Sequence, residues 1–304
     1  MAISCLFLAQ KGLFVYLTMC LYNQFMYTGC HILISEGINK APEIAKELGC
    51  EVMQIFTRAP QGGPFSPIPE ETVKSFRENC RKFEIKNVYV HAPYFINLAS
   101  KINRTYYGSI SSVRKELERA SELGAKYVMT HLGSVKDLSE EESVKKIIEG
   151  MKKIFDGYEG EAKLLIENSA GAGMTIGYDF KQIGKILKAV PKITGICLDT
   201  QHSFASGYDW RNNFYNCVEA LDKNIGLKNT KLMHSNDSLT DLNSHKDRHA
   251  HIGQGKIGLD GFEKLTALAQ DNDIDMICET AYPGVIKDIE TLKNIRNNSL
   301  VASG

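Results

Sequence analysis

Gly195-Ile196-Cys197-Leu198-Asp199 is a near-continuous apolar run that ends on a carboxylate. A short run of this kind fits a strand buried on both faces, as in a parallel sheet. Five more runs share the form: Val88-Tyr89-Val90 into His91, Tyr127-Val128-Met129-Thr130 into His131, Leu164-Leu165-Ile166 into Glu167, Lys231-Leu232-Met233 into His234, and Met276-Ile277-Cys278 into Glu279. A buried strand is not normally finished with His, Asp or Glu. Repeated around a barrel, the pattern gathers metal-type side chains at one mouth.

Working outward, strands are expected at 27–32, 51–57, 87–91, 127–131, 163–167, 195–199, 231–234 and 275–279. The intervening segments place apolar residues three and four apart, as in Val73-Phe76-Cys80, Ile147-Met151-Ile154 and Phe262-Leu265-Leu268, which is helical spacing. Pro69 suits a first helical turn, and Ser139-Glu140-Glu141 reads as a helix start. Eight strand–helix units without a linker predict an α/β fold, a closed (β/α)8 TIM barrel with its active site at the strand C-terminal ends. No G-x-G-x-x-G follows the first strand, which counts against an open dinucleotide-binding sheet.

The chain has 304 residues, enough for one such barrel, and 24% are charged, as in a globular protein. Lys plus Arg equals Asp plus Glu, so composition alone argues against a strongly basic nucleic-acid binder. Eight cysteines are scattered without a C-x-x-C pair, and Cys197 and Cys278 sit inside apolar runs. Reduced, buried thiols in a cytoplasmic protein fit this usage better than a disulfide scaffold. Residues 1–25 are mostly apolar with Lys11 as their only charge; Leu13 to Tyr22 is short and mixed for a membrane span and no clear leader features stand out, so a membrane anchor or leader is the alternative reading. They read as an extension outside the fold, with a single catalytic domain over 26–304 and no membrane association.

A single His at a strand end is more often a structural hydrogen-bonding residue, and a single Asp there is often a helix cap. The joint pattern weighs differently. Glu167, Asp199 and Glu279 would converge with His91, His131 and His234, and neutral imidazoles cannot offset three buried carboxylates. Divalent cations can, and imidazole nitrogens suit zinc. Two local pairs add to the set. Asp199-Thr200-Gln201-His202 puts a carboxylate and an imidazole three apart. Asp247-Arg248-His249 puts them two apart, on one side of an extended segment. Alone, the latter reads as a solvated charged turn.

These residues lie in four longer stretches: His91-Ala92-Pro93-Tyr94-Phe95-Ile96-Asn97-Leu98-Ala99-Ser100, Ile166-Glu167-Asn168-Ser169-Ala170-Gly171, 197–209 from Cys197 to Asp209, and 247–255 from Asp247 to Gly255. Over residues 26–296 the chain resembles the endonuclease IV family of zinc-dependent apurinic/apyrimidinic endonucleases, within the xylose-isomerase-like barrels. The resemblance implies three zincs per chain, with manganese as an alternative in one site. His91, His131 and Glu167 would hold the first; Glu167 would bridge to the second, shared with Asp199, His234 and Glu279; His202, Asp247 and His249 would hold the third. It further implies hydrolysis 5′ to abasic sites to leave a 3′-hydroxyl, by a metal-bridging hydroxide with Glu167 setting the inter-metal distance, and trimming of blocked 3′ ends. The partner would be double-stranded DNA and the protein a monomer.

Three divalent ions would turn a mouth of four ligand carboxylates positive, which suits a phosphate backbone. Arg58, Arg248, Lys101, Arg104 and Lys246 would extend that field. Tyr94 and Phe95 match a family pair that inserts into DNA, as an aromatic wedge would. The chain departs from its relatives at Gln61 and Gly63, where Arg and Trp are usual, which implies weaker or more relaxed DNA binding. It also departs at Leu239 and Asn243, where Lys and Gly are usual, and at Gln201, where Cys is common. The rival readings are a metal-dependent sugar isomerase or epimerase of the related barrels, which would not need Asp247, His249 or His202, and a non-catalytic DNA-binding barrel.

Overall fold

Eight parallel strands close into a barrel in the computed structural model, which describes residues 26–62, 65–135 and 138–302. The barrel strands are β1 (Thr28–Ile32), β2 (Val52–Ile55), β3 (Val88–His91), β4 (Tyr127–Thr130), β5 (Lys163–Glu167), β6 (Gly195–Asp199), β7 (Thr230–His234) and β10 (Asp275–Cys278). Each pairs with its neighbour in the ring, and β10 closes the ring on β1 through Thr28–Met276 and Cys30–Cys278. A two-residue antiparallel ribbon, β8 (Asp237–Ser238) with β9 (His249–Ala250), stands outside the ring between β7 and β10. The extension at 1–25 and Gly63 lie outside the described residues.

Strand bounds differ from the sequence reading by small amounts. His131 and Glu279 fall one residue past β4 and β10, and β2 is shorter than 51–57. These metal-type side chains therefore leave the ladder as the backbone turns into the mouth loops. Pro69 caps the helix Glu70–Lys82 from an extended conformation instead of lying in its first turn. Ser139 starts the helix Glu140–Ile154 as expected, with a reciprocal Ser139–Glu142 capping box.

Alternation along the strands makes two cores. Val52, Tyr89, Leu165, Cys197, Leu232 and Ile277 fill the barrel interior. The opposite faces meet helix residues such as Phe76, Leu117, Ile147, Ile183 and Phe262, all fully buried. Each such side chain contributes about 1.5–3 kcal/mol by leaving water. At the closed end, buried Asp275 accepts from Tyr89 Oη, from Asn87 Nδ2 at 2.6 Å and from Tyr27 N at 3.0 Å. Arg296, in the last helix (Val285–Ala302), clamps the start of β1: its Nη1 donates to Met26 O at 2.9 Å and to Glu51 Oε2 at 2.7 Å. No helix among the described residues is long and apolar enough to cross a membrane.

Candidate metal centre

Glu167 is the last residue of β5 and is 1% exposed. Its Oε2 lies 3.0 Å from His91 Nε2 and 3.4 Å from His131 Nε2. Its Oε1 lies 3.0 Å from His234 Nδ1, which in turn is 3.2 Å from Glu279 Oε2 and 4.0 Å from Asp199 Oδ2. One carboxylate thus joins a His91–His131 group to an Asp199–His234–Glu279 group.

Asp199 does two jobs because β6 runs straight into a helix at Thr200–Ala205. Its Oδ1 accepts from His202 N at 2.7 Å and caps that helix, while Oδ2 faces His249 Nε2 at 3.8 Å. One turn along, His202 Nε2 lies 3.3 Å from Asp247 Oδ2. His249 sits in β9, whose pairing to β8 keeps the segment extended, and its Nε2 lies 3.3 Å from Asp247 Oδ1. The i, i+2 pair therefore points to one side, toward His202. Donor atoms of His91–His131–Glu167, of Glu167–Asp199–His234–Glu279 and of Asp199–His202–His249 each lie within 4.8 Å of one another. Asp247, more exposed, closes the third group from the solvent side through its contacts to both histidines.

The imidazoles are oriented from behind. His91 Nδ1 is 2.6 Å from Ala92 O, and His202 Nδ1 is 3.1 Å from Asn168 O. His234 Nε2 is 2.7 Å from Gln54 Oε1. A proton on each of these nitrogens leaves the other ring nitrogen as a lone pair facing the site. Gln54, fully buried on β2, also donates through Nε2 to Glu279 Oε1 at 2.6 Å and to His31 Nδ1 at 2.9 Å. Asn236 Nδ2 donates to Asp199 Oδ2 at 2.8 Å, and Asn236 Oδ1 accepts from Glu279 N at 2.9 Å. Asn168 Oδ1 accepts from Asp199 N at 2.7 Å. Sequence reasoning missed Gln54, Asn168, Asn236 and His31. An uncharged amide in an apolar strand (Gln54 in Val52-Met53-Gln54-Ile55) was the one available sign.

The electrostatics follow from four carboxylates gathered at one mouth. Among the described residues, the ion-pair partners of Glu167, Asp199, Asp247 and Glu279 are all histidines. Burial raises the Glu167 carboxyl, but His131, His234 and His91 outweigh it and hold it well below the usual range. Burial lowers His202, yet Asp199, Asp247 and Glu167 overcome this and push it up to about 10. The site's field is that of a cation trap. The geometry agrees: two ligand atoms on one tetrahedral zinc sit about 3.3 Å apart, given bonds of about 2.0–2.1 Å. His249 Nε2 is buried without a hydrogen-bond partner among the described residues, although two carboxylates are near. Off-axis approach at that distance is how two ligands of a common ion meet. The donor set therefore fits zinc, and His91, His131, Glu167, Asp199, His202, His234, Asp247, His249 and Glu279 are the residues that could hold it.

Of the residues expected to meet DNA, Tyr94 and Phe95 are exposed at the mouth just past His91. The Tyr94 ring stands edge-on to Phe56 at 5.2 Å and 5.8 Å from the His91 ring. Arg248 is exposed beside Asp247. Arg58, expected to extend along DNA, is instead held inward, its Nε 3.0 Å from Oε1 of the fully buried Glu116. Gln61 is exposed in the loop after β2. Asn243 has φ 60°, which explains why glycine suits that position and why asparagine is tolerated. Leu239 is exposed, and Gln201 ties its helix to Lys246 O at 2.9 Å.

Residues 42–297 match the family described as xylose isomerase-like TIM barrel. The chain is 35% identical to the probable endonuclease 4 of Cenarchaeum symbiosum (strain A), over 89% of this chain and 99% of that protein. The crystal structure of endonuclease IV from Thermus thermophilus superposes with a TM-score of 0.78 at 31% identity, covering 89% of this chain and 98% of that one. A D-tagatose 3-epimerase-like protein superposes with a TM-score of 0.68 over 90% of this chain and 100% of that one, at 23% identity, which speaks to the fold alone. On its sequence and its barrel together, the chain belongs to the endonuclease IV family of the xylose isomerase-like TIM barrels.

Proposed function

We propose that this chain is a zinc-dependent DNA-repair endonuclease. It hydrolyses the phosphodiester 5′ to an abasic site, leaving a 3′-hydroxyl, and trims blocked 3′ ends at the same centre. The observation that carries the reading is the third donor group: His202 and His249 converge with Asp247, beyond the two groups that share Glu167. An isomerase of the related barrels has no use for it.

When bound, the ions supply Lewis-acid activation of water and charge stabilisation at the phosphate and the leaving 3′ oxygen. The chain's residues do the rest. Glu167 presents one oxygen to each of two donor groups and fixes their separation. Gln54 and Asn236 hold His234, Asp199 and Glu279 in the orientations that the ions need. Around the mouth, Leu33, Tyr94, Met174, Leu239 and Tyr282 are exposed on five of the loops that follow barrel strands. Such an apolar rim suits a partner with apolar surface to give, and an abasic duplex has an unstacked gap. Extruding the lesion costs least where no base is paired.

The test is an end-labelled duplex with one tetrahydrofuran residue as abasic analogue. The expected product is one cut, on its 5′ side, with an extendable 3′ end. Ketose interconversion without nicking would overturn the reading.

A further inference from the structure

The loop after β2 is tied to the wedge residue Phe95 by an arrangement that the metal centre does not require. Glu116 is fully buried in the middle of the helix Asn103–Leu123, on a face otherwise occupied by Val113, Leu117 and Ala120. Its Oε2 accepts from Thr57 Oγ1 at 2.5 Å and its Oε1 from Arg58 Nε at 3.0 Å. Arg58 Nη2 also donates to Ser112 Oγ at 3.2 Å. The guanidinium is thereby held in place, with Cζ over the Phe95 ring at 5.2 Å from its centroid and over the Phe65 ring at 4.7 Å. Phe95 is 39% exposed, so part of its ring is free to meet a partner while another part is supported. Gly62 completes the seat: a Cβ there would stand 3.5 Å from the Phe95 ring.

We infer that Arg58 is a positioning residue, held by buried Glu116, that sets the angle at which Phe95 enters the abasic gap. This rests on the proposed abasic-site reading. It reassigns Arg58 from a phosphate contact to a support for the wedge. Reaching a phosphate would strip the charge partner from a fully buried carboxylate, which favours the internal role. The fork is what the seat uses: Nε and Nη2 reach two different partners while Cζ stays over both rings. Lysine has neither feature.

The experiment compares wild type, Arg58→Lys, Arg58→Gln, Glu116→Gln and Phe95→Ala, each checked for three-ion content and thermal unfolding. Binding to the tetrahydrofuran duplex is measured across salt concentrations. A 2-aminopurine opposite the lesion reports insertion of the wedge by its fluorescence. Arg58→Lys and Glu116→Gln are both expected to weaken binding by about 3- to 30-fold and to lower the fluorescence rise as Phe95→Ala does. The slope of affinity against salt is expected to stay at the wild-type value. Glu116 is fully buried and cannot itself touch DNA, so its effect is the more telling of the two. Because lysine keeps the charge, the phosphate reading is tested by Arg58→Gln: a salt slope reduced by about one in that variant, with fluorescence intact, would mark a phosphate contact and overturn the inference. A normal Glu116→Gln response would overturn it equally, and stands if the Arg58 variants fail to fold. Should wild type itself neither nick nor bind the duplex, the proposed function falls first.

Discussion

Gln54 Oε1 lies 2.7 Å from His234 Nε2, so the proton of that imidazole is committed to the amide and Nδ1 is left facing Glu167 and Glu279. The same amide donates to Glu279 Oε1 at 2.6 Å. A neutral strand residue thus sets both the tautomer of one metal-type side chain and the rotamer of another.

Gln54→Leu is expected to weaken the Asp199–His234–Glu279 group most. Zinc affinity at that group should fall by about 10–100-fold, read by competition with a coloured chelator. Unchanged affinity would show that His234 is held by its packing alone.

Glu167→Gln keeps size and removes the charge shared by two donor groups. Nicking should fall by more than about 100-fold, and the bound zinc should drop below the wild-type value. Full activity in this variant would remove Glu167 from the mechanism.

Asp237 is fully buried and accepts from Gly253 N at 3.0 Å, Gly255 N at 3.0 Å and Ile257 N at 2.9 Å. It anchors the loop that follows the β8–β9 ribbon, and that ribbon carries His249. With Ser238 N and Gly258 N, Asp237 accepts from five backbone donors in all, and Asp237→Ala leaves them without their acceptor, at a cost of about 3 kcal/mol or more. The bound zinc should fall toward two per chain as His249 loosens. Retention of three ions at normal stability would contradict this role.

The Arg296–Glu51 clamp gives a pH signature. Burial raises the Glu51 carboxyl, but Arg296 and the backbone N–H of Thr28 outweigh it and leave it below its usual value. A carboxyl depressed in the native state stabilises the fold above its unfolded pKa of about 4.3 and loses that contribution as pH falls through the native value. Glu51→Gln should therefore cost about 1–3 kcal/mol at pH 7, and the gap to wild type should be smaller at an acid pH below the usual carboxylate value of about 4.3. Thermal unfolding at the two pH values checks it; an equal gap at both would contradict it.

The legible parts of the sequence were those written in charge and periodicity. Runs such as Leu164-Leu165-Ile166 announce buried strands, and their terminal Glu167, Asp199 and His234 announce a metal-type mouth. Asp247 and His249 were legible as a pair because two-residue spacing in an extended segment is itself geometric. Gln54, Asn168 and Asn236 were not legible, because an amide that orients a ligand has no charge or spacing to reveal it. Arg58 was visible as a cation, but its partner Glu116 lies 58 residues away on a helix, so sequence could not show that the charge is spent inside. Asn243 shows the reverse: its departure from glycine was visible, and only the φ of 60° explains it.

A three-ion centre in which Glu167 joins two of the donor groups fixes the metal content of the protein. Inductively coupled plasma mass spectrometry on protein purified without chelator reads it as zinc per chain. Close to three is expected. A value of one or two in fully active protein would contradict it.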